Sequence, residues 1–155
     1  MPNGNPKSTA SIAGHPVHPM LIPFPVVFLV TAFVTDLVFW TTGNANWATA
    51  SMWFLGAGVV MALVAALAGF TDFFADARIR EIGDAWQHMI GNLIAVVLAL
   101  INWYIRYRSG AAAGVFPWGI WISLITVLLL LLFNGWKGWE LVYRHHVGVS
   151  DVRHP

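Results

Sequence analysis

Four long apolar segments dominate the chain, at about residues 21–42, 49–70, 86–106 and 117–137. Each is long enough to cross a hydrocarbon core of about 30 Å, which takes roughly 20 residues at the helical rise. A strand of a membrane barrel would alternate apolar and polar side chains, whereas residues 127–133 are apolar at every position. The pattern therefore predicts four transmembrane α-helices.

Short connections between these helices favour an all-α fold, an up-down-up-down bundle of four transmembrane helices with both termini on the same side. We predict three parts: a polar N-terminal lead at 1–20 that carries the motif GHPVHP, a four-helix membrane domain at 21–142, and a C-terminal tail at 143–155. The first helix follows about twenty polar, Pro-rich residues without a small-residue cleavage site. We therefore expect it to stay attached rather than act as a signal peptide.

Cations are unevenly divided between the two ends of this bundle. Lysine and arginine close to the membrane are retained in the cytoplasm during insertion. The end that carries both termini has Lys7, Arg78, Arg80, Lys137, Arg144 and Arg153, whereas the other end has only Arg106 and Arg108. The sequence therefore predicts cytoplasmic N and C termini.

Composition supports a membrane protein and argues against other classes. Hydrophobic residues make up 58% of the 155 positions and charged residues only 10%, with a mean hydropathy of +0.68. A net charge of +1 without a basic run gives no reason to expect a nucleic-acid partner. The absence of cysteine excludes disulfides and thiolate metal sites.

Asp36 lies well inside the first apolar segment. An ionised carboxylate at that depth costs about 3 kcal/mol unless it is paired, protonated or facing water. Arg106 or Arg108 can supply its partner, and a structural pair is favoured over a proton path. We expect three asparagines of the later segments to hydrogen-bond between helices: Asn92, Asn102 and Asn134.

The second segment carries a stripe of small residues at three- and four-residue spacing: Gly58, Ala62, Ala65 or Ala66, and Gly69. Such stripes let helices approach closely, and helix packing is the interpretation that we favour. The alternative is that the stripe leaves room for a flat cofactor.

Histidines gather at the end of the bundle that carries both termini. His15 and His18 stand in GHPVHP, His88 opens the third helix, and His145 follows the fourth. Neutral imidazole is the commonest nitrogen ligand of transition metals and a usual axial ligand of haem iron. We therefore predict a cofactor site built from these four residues. The weakest candidates are His146 and His154.

Two cofactors compete for this site. Haem b for electron transfer would take two helix-borne histidines, most simply His88 and His145. A non-haem iron, copper or zinc ion would use the same histidines with Asp72 or Glu140. Directly packed helices lie about 8–10 Å apart, which is tight for a porphyrin, so haem needs diagonal or splayed helices.

Two neighbours of His88 share its helical face: Gly91 would clear space for a ligand, and Asn92 would supply a supporting hydrogen bond. A third hypothesis has no cofactor at all, the protein being a membrane scaffold or a partner subunit. No nucleophile–base pair, phosphate loop or HExxH element is evident, so an enzymatic role would be a redox one.

Four motifs resemble those of a family of bacterial membrane proteins, domain-of-unknown-function family 2231: GHPVHPMLIPFP, GFTDFF, WQHMIGN and ELVYRHHVGV. The resemblance covers Gly14 to Val149 and implies a four-helix protein of the bacterial inner membrane. Relatives are sometimes fused to Rieske-type ferredoxin domains, which implies redox work with such a partner; a homo-oligomer is also expected. The family usually has glycine at the place of His146. The resemblance implies these site positions: His15, His18, Asp36, Asp72, His88, Asn92 and His145.

If both termini share one side of the membrane, single cysteines placed near residues 15 and 146 will react with a membrane-impermeant thiol reagent from the same side. The chain has no cysteine of its own, so each signal is unambiguous. Labelling of intact cells and of inverted vesicles measures this. Reaction of the two positions from opposite sides would contradict the topology and any site shared by the two ends of the chain.

Overall fold

The computed structural model describes residues 4–150, which form four long helices. They span Val17–Thr42 (α1), Ala45–Ala75 (α2), Gly83–Ser109 (α3) and Val115–Arg144 (α4), and each is long and apolar enough to cross a membrane. A short helix, Ala77–Arg80, connects α2 to α3, and a hairpin of Ser11–Ile12 (β1) and His15–Pro16 (β2) precedes α1. The all-α class with four candidate spans is confirmed.

The helices are longer than the apolar segments that mark them in the sequence, because polar residues at their ends continue the helical backbone. The longest extension at a single end is in α4, which continues to Arg144 and so includes the start of the predicted tail. Helix α1 ends at Gly43, whose φ of 68° is a left-handed cap conformation. Asn44 then caps α2 by accepting a hydrogen bond from the Asn46 amide at 3.0 Å. Two residues of the sequence predictions, Arg153 and His154, lie outside the described residues.

The four helices pack as a square in which each contacts the next in chain order and α4 contacts α1. Helices α1 and α3 are therefore diagonal to each other, as are α2 and α4. Because the chain passes up and down, the strand hairpin, the α2–α3 connection and the end of α4 lie at one end of the bundle, called here the terminal face. The α1–α2 and α3–α4 connections lie at the opposite face.

Small side chains fill the centre of the bundle. Ala32 of α1 and Ala95 and Ala99 of α3 are buried, and Gly58 of α2 lies so close to Leu29 of α1 that a methyl group there would crowd it. Many larger apolar side chains point outwards, where lipid would cover them. Close approach and dispersion replace the hydrophobic effect between helices in lipid. At Gly58, the small-residue stripe therefore serves helix packing.

A buried ion pair joins α1 to α3 in the half of the bundle near the opposite face. The guanidinium of Arg106 donates to both carboxylate oxygens of Asp36, with Nη1–Oδ1 and Nη2–Oδ2 distances of 2.6 and 2.7 Å. Both side chains are fully buried. A bidentate pair of this kind combines charge with two directed hydrogen bonds. Arg106, one of the two arginines considered from the sequence, is thus the partner of Asp36.

Polar side chains of the other helices complete the hydrogen bonds of this pair. Ser51 of α2 accepts from Arg106 Nη1 at 2.9 Å, and Asn102 of α3 accepts from Nε at 3.1 Å. Ser123 of α4 donates to Asp36 Oδ2 at 2.9 Å and accepts from Asn102 at 2.9 Å. Every helix contributes a member. Since an unpaired polar group in hydrocarbon costs several kcal/mol, this network fixes how the four helices sit against one another.

Replacing Arg106 alone by methionine would leave the Asp36 carboxylate buried without its counter-ion, so we expect the free energy of unfolding to fall by about 3–5 kcal/mol. Replacing both partners, Asp36→Leu with Arg106→Met, should restore most of that loss because no unpaired charge is left. Thermal unfolding in detergent measures both effects. Arg108→Met is the matched control, since Arg108 is exposed on the same helix. Equal unfolding midpoints for the Arg106 and Arg108 single variants would contradict the prediction.

Candidate functional site

The first imidazole of the site is held where the chain enters α1. The strand hairpin turns at Ala13 and Gly14, whose φ values of 50° and 80° suit a tight two-residue turn. His18 follows in the first turn of α1, and its Nδ1 lies 2.8 Å from the carbonyl oxygen of Ala65 on α2. Gly69, one turn further along α2, faces the ring, and a methyl group there would lie 3.0 Å from it. The last part of the small-residue stripe thus makes room for His18.

The second imidazole, His88, is held between α3 and α4. Its Nδ1 lies 3.1 Å from the main-chain carbonyl oxygen of Asn134. Gly138 of α4 faces the ring, and a methyl group there would lie 3.2 Å from Cε1. Asn92 donates from Nδ2 to the main-chain carbonyl of His88 at 2.9 Å. The sequence predicts that Asn92 hydrogen-bonds to another helix. In the structure it instead supports the backbone of its own helix.

The two rings meet inside the bundle from the diagonal helices α1 and α3. Their centroids are 6.4 Å apart and their planes cross at 89°. A carbonyl oxygen can only accept a hydrogen bond, so each Nδ1 carries a proton, and in the neutral imidazole Nε2 then has the free lone pair. Within residues 4–150, neither Nε2 has a hydrogen-bond partner. This is the form in which histidine binds a metal, with its other nitrogen fixed by a carbonyl.

Asn134 brings an unpaired amide into the same half of the bundle. Its side chain is only 3% exposed, and in the described part of the chain neither Nδ2 nor Oδ1 has a hydrogen-bond partner. It packs against Gly91 of α3, where a methyl group would overlap Oδ1. The expectation that this amide bonds to another helix is therefore wrong, whereas Asn102 does donate to Ser123 of α4. Gly91 makes room for the Asn134 side chain.

His145 belongs to a separate cluster at the terminal face. Its Nε2 lies 2.9 Å from Oδ2 of Asp84, and Glu140 completes a group whose ligand-type atoms lie within 4.8 Å of one another. Each carboxylate of this group already has a cation: Lys137 Nζ lies 2.8 Å from Asp84, and Arg144 Nη1 lies 3.1 Å from Glu140. The cluster is thus charge-balanced and joins α3 to α4. The structure brings His18 to His88, not His145.

The polar N-terminal lead is fastened to the end of α2, and its residues 4–16 are called here the strap. Asp72 accepts hydrogen bonds from Ser8 Oγ at 2.9 Å and from the Ala10 amide at 2.7 Å. Its two carboxylate oxygens are therefore both engaged by the strap. The structure gives Asp72 a fastening role in place of the metal-ligand role considered from the sequence.

Asp76, just after α2, holds the strap at a second point by accepting a hydrogen bond from the Lys7 amide at 3.2 Å. The Arg78 side chain donates to the same carboxylate and, helped by backbone hydrogen bonds, lowers its pKa from 3.8 to about 2. A lowered pKa means that this interaction is complete above pH 3.8 and is lost only as the pH falls through about 2. The hydrogen bond between Asp76 and the Lys7 amide is thus unaffected by pH in the physiological range.

The remaining predicted histidines lie outside the His18–His88 pair. His15 is exposed in β2, with its Nδ1 3.0 Å from the carbonyl oxygen of Ala13. His146 is exposed after the end of α4 with a φ of 54°. Asn134 is the neighbour that the sequence analysis did not connect to the site. The signal that was available for it is a polar residue within the most apolar of the four spans.

Comparisons with known proteins agree with this architecture. The family described as "Predicted membrane protein (DUF2231)" matches residues 14–151, a stretch that includes all four helices and both histidines of the pair. No curated protein and no solved structure matches the chain.

Asp72→Ala removes two hydrogen bonds to a carboxylate, each worth about 1.5–3 kcal/mol. We therefore expect local opening of the strap to increase at least about tenfold, since about 1.4 kcal/mol is a factor of ten. Amide hydrogen exchange at residues 8–10 measures it. Glu81→Ala, which removes an exposed carboxylate from the same connection, is the control. Unchanged exchange in Asp72→Ala would show that the strap is held by other contacts.

Proposed function

The chain belongs to the DUF2231 family of predicted membrane proteins, and we propose that it binds haem b between His18 and His88 and transfers electrons in the membrane. The observation that supports this proposal is the pair of facing imidazoles on diagonal helices, each with Nδ1 bonded to a carbonyl and Nε2 unpaired. Bis-histidine ligation of a haem iron uses this nitrogen of both rings.

The spacing of the rings suits ligands on opposite sides of one metal. Two imidazoles that bind an ion in this way, at a metal–nitrogen distance of about 2.1 Å, have ring centres about 6.5 Å apart. Tetrahedral ligands at the same bond length have ring centres about 5.3 Å apart. The separation between His18 and His88 is 6.4 Å. It is closer to the value for ligands on opposite sides of one metal, and it is also an ordinary spacing for two rings packed edge to face.

A flat cofactor at this pair would meet glycines on the two neighbouring helices. A haem held by His18 and His88 would extend towards α2 and α4, the helices on either side of the pair. Both of these helices have glycine at the rings, Gly69 against His18 and Gly138 against His88. The diagonal placement of α1 and α3 supplies the separation that directly packed helices lack.

A haem with two histidine ligands has no coordination position left for a substrate, so one-electron transfer is the chemistry that it would supply. The excess of cations at the terminal face supports a cytoplasmic orientation of that face in a bacterial inner membrane. A Rieske-type ferredoxin, the partner that the family resemblance implies, would then meet the protein at the face nearest to His18 and His88. A homo-oligomer stays a prediction.

A bare iron, copper or zinc ion is the second candidate for the same two nitrogens. The close packing of Asn134 and Gly138 on His88 favours it, since an ion needs no slot between the helices. A redox-active ion would support the same electron-transfer role.

Protein purified in detergent from cells supplied with haem precursor and iron should show a Soret band, with reduced-minus-oxidised bands of a six-coordinate haem. His18→Ala and His88→Ala each remove one ligand, so we expect either variant to lose most of the bound haem. His145→Ala is the matched control: its ring contacts Asp84 instead of the pair, and the spectrum should be unchanged.

Elemental analysis of the same samples separates the candidates. Stoichiometric metal without a Soret band, lost in His18→Ala and His88→Ala, supports the bare ion. A Soret band that is lost in His88→Ala and His145→Ala but kept in His18→Ala would contradict the ligand pair. Protein without haem or metal under these conditions would contradict both proposals and leave a cofactor-free scaffold or partner subunit.

A further inference from the structure

The two halves of the bundle differ in whether their buried polar side chains have hydrogen-bond partners. Near the opposite face, the five N–H groups of Arg106 and both oxygens of Asp36 find partners in neighbouring side chains. Towards the terminal face, the Asn134 amide is buried to nearly the same extent, and within residues 4–150 both its nitrogen and its oxygen lack a partner. Because buried polar groups are normally satisfied, an unpaired amide indicates a binding partner that residues 4–150 do not supply.

We infer that the Asn134 side chain binds a water molecule inside the bundle, between α3 and α4. This hydration site goes beyond the proposed haem site, and it stands whether or not His18 and His88 hold a cofactor. Water is the smallest molecule that can both accept a hydrogen bond from Nδ2 and donate one to Oδ1.

Local backbone features agree with such a site. Gly91 leaves out the side chain that would overlap Oδ1, so the amide can lie against α3. Asn134 ends the turn Leu129–Asn134, which has the widened backbone of a π-helix; such turns are frequent at functional sites. The carbonyl of the same residue bonds to His88. Asn134 therefore fixes the His88 ring through its main chain and holds the water through its side chain.

Solid-state NMR of the full chain in lipid bilayers tests this directly, with asparagine labelled by ¹⁵N. We expect a cross-peak between the Asn134 Nδ2 protons and water. Asn102 is the internal control, since its Nδ2 donates to the Gly119 carbonyl and to Ser123, both at 2.9 Å, and its signal should show no water contact. Because Phe-Asn occurs once in the chain, carbonyl-labelled phenylalanine identifies the backbone nitrogen of Asn134 without any mutation. With ¹³C added to the labelled asparagine, the signal of Nδ2 is then assigned through the side-chain carbons.

A variant supplies a second test, in which a hydrated amide and an unpaired amide shift the thermal midpoint in opposite directions. Asn134→Leu keeps the size of the side chain but cannot hold water. If the amide is hydrated, the variant loses hydrogen bonds and its thermal midpoint in detergent falls below that of the wild type. If the amide is unpaired in the real protein, removing it raises the midpoint. A raised midpoint overturns the inference, as does an Asn134 signal in the wild type with no water cross-peak or with a cross-peak to another side chain instead.

Haem or metal content, measured on the same wild-type samples, separates the two proposals. A water cross-peak in protein that binds no cofactor would leave the hydration site standing and the proposed function contradicted. A Soret band in protein without that cross-peak would support the proposed function and contradict the hydration site.

Discussion

The structure depends on one constraint: hydrocarbon offers no hydrogen bonds, so a polar group within the membrane must find its partner in the protein or in something that the protein binds. Asp36 and Arg106 meet this demand within the chain. Their charges cancel, and Ser51 and Ser123 bring α2 and α4 into contact with the pair. A bundle whose centre consists mainly of alanine and glycine gains little specificity from apolar packing, so this network decides which faces of the helices turn inwards.

The same constraint explains what the sequence predicts well. Helix number and order follow from the length of the apolar segments, because the thickness of the bilayer sets a minimum length for each span. An aspartate inside such a segment needs a cation, and few cations lie near enough in a four-helix arrangement. The sequence therefore leaves Arg106 and Arg108 as the candidates. Arg108, two residues away, points to another side of α3 and is exposed.

Side-chain partners at the terminal face could not be derived in this way. Five histidines lie near that face, and their pairing depends on how α1 and α3 are rotated and on which helices are diagonal. Sequence order favours His88 with His145, since both are helix-borne, whereas the fold turns His145 to Asp84 and brings His18 to His88. The sequence offers Asp72 as a ligand of a bare metal ion because it does not show which residues of the N-terminal lead lie beside α2. In the structure, its carboxylate accepts hydrogen bonds from Ser8 and Ala10 of the strap.

The strap and the segment after α4 also lie side by side. The Gly148 amide donates to the Pro6 carbonyl at 2.8 Å, and Asn5 Nδ2 donates to the Val149 carbonyl at 3.2 Å. A few added residues would join these two segments into a closed loop. The chain could then be opened instead at Gly43, where a methyl group would meet no atom within 4 Å. Such a circular permutant would keep every helix-to-helix contact while changing the order in which the spans are made. It would show whether the bundle needs α1 to enter the membrane first.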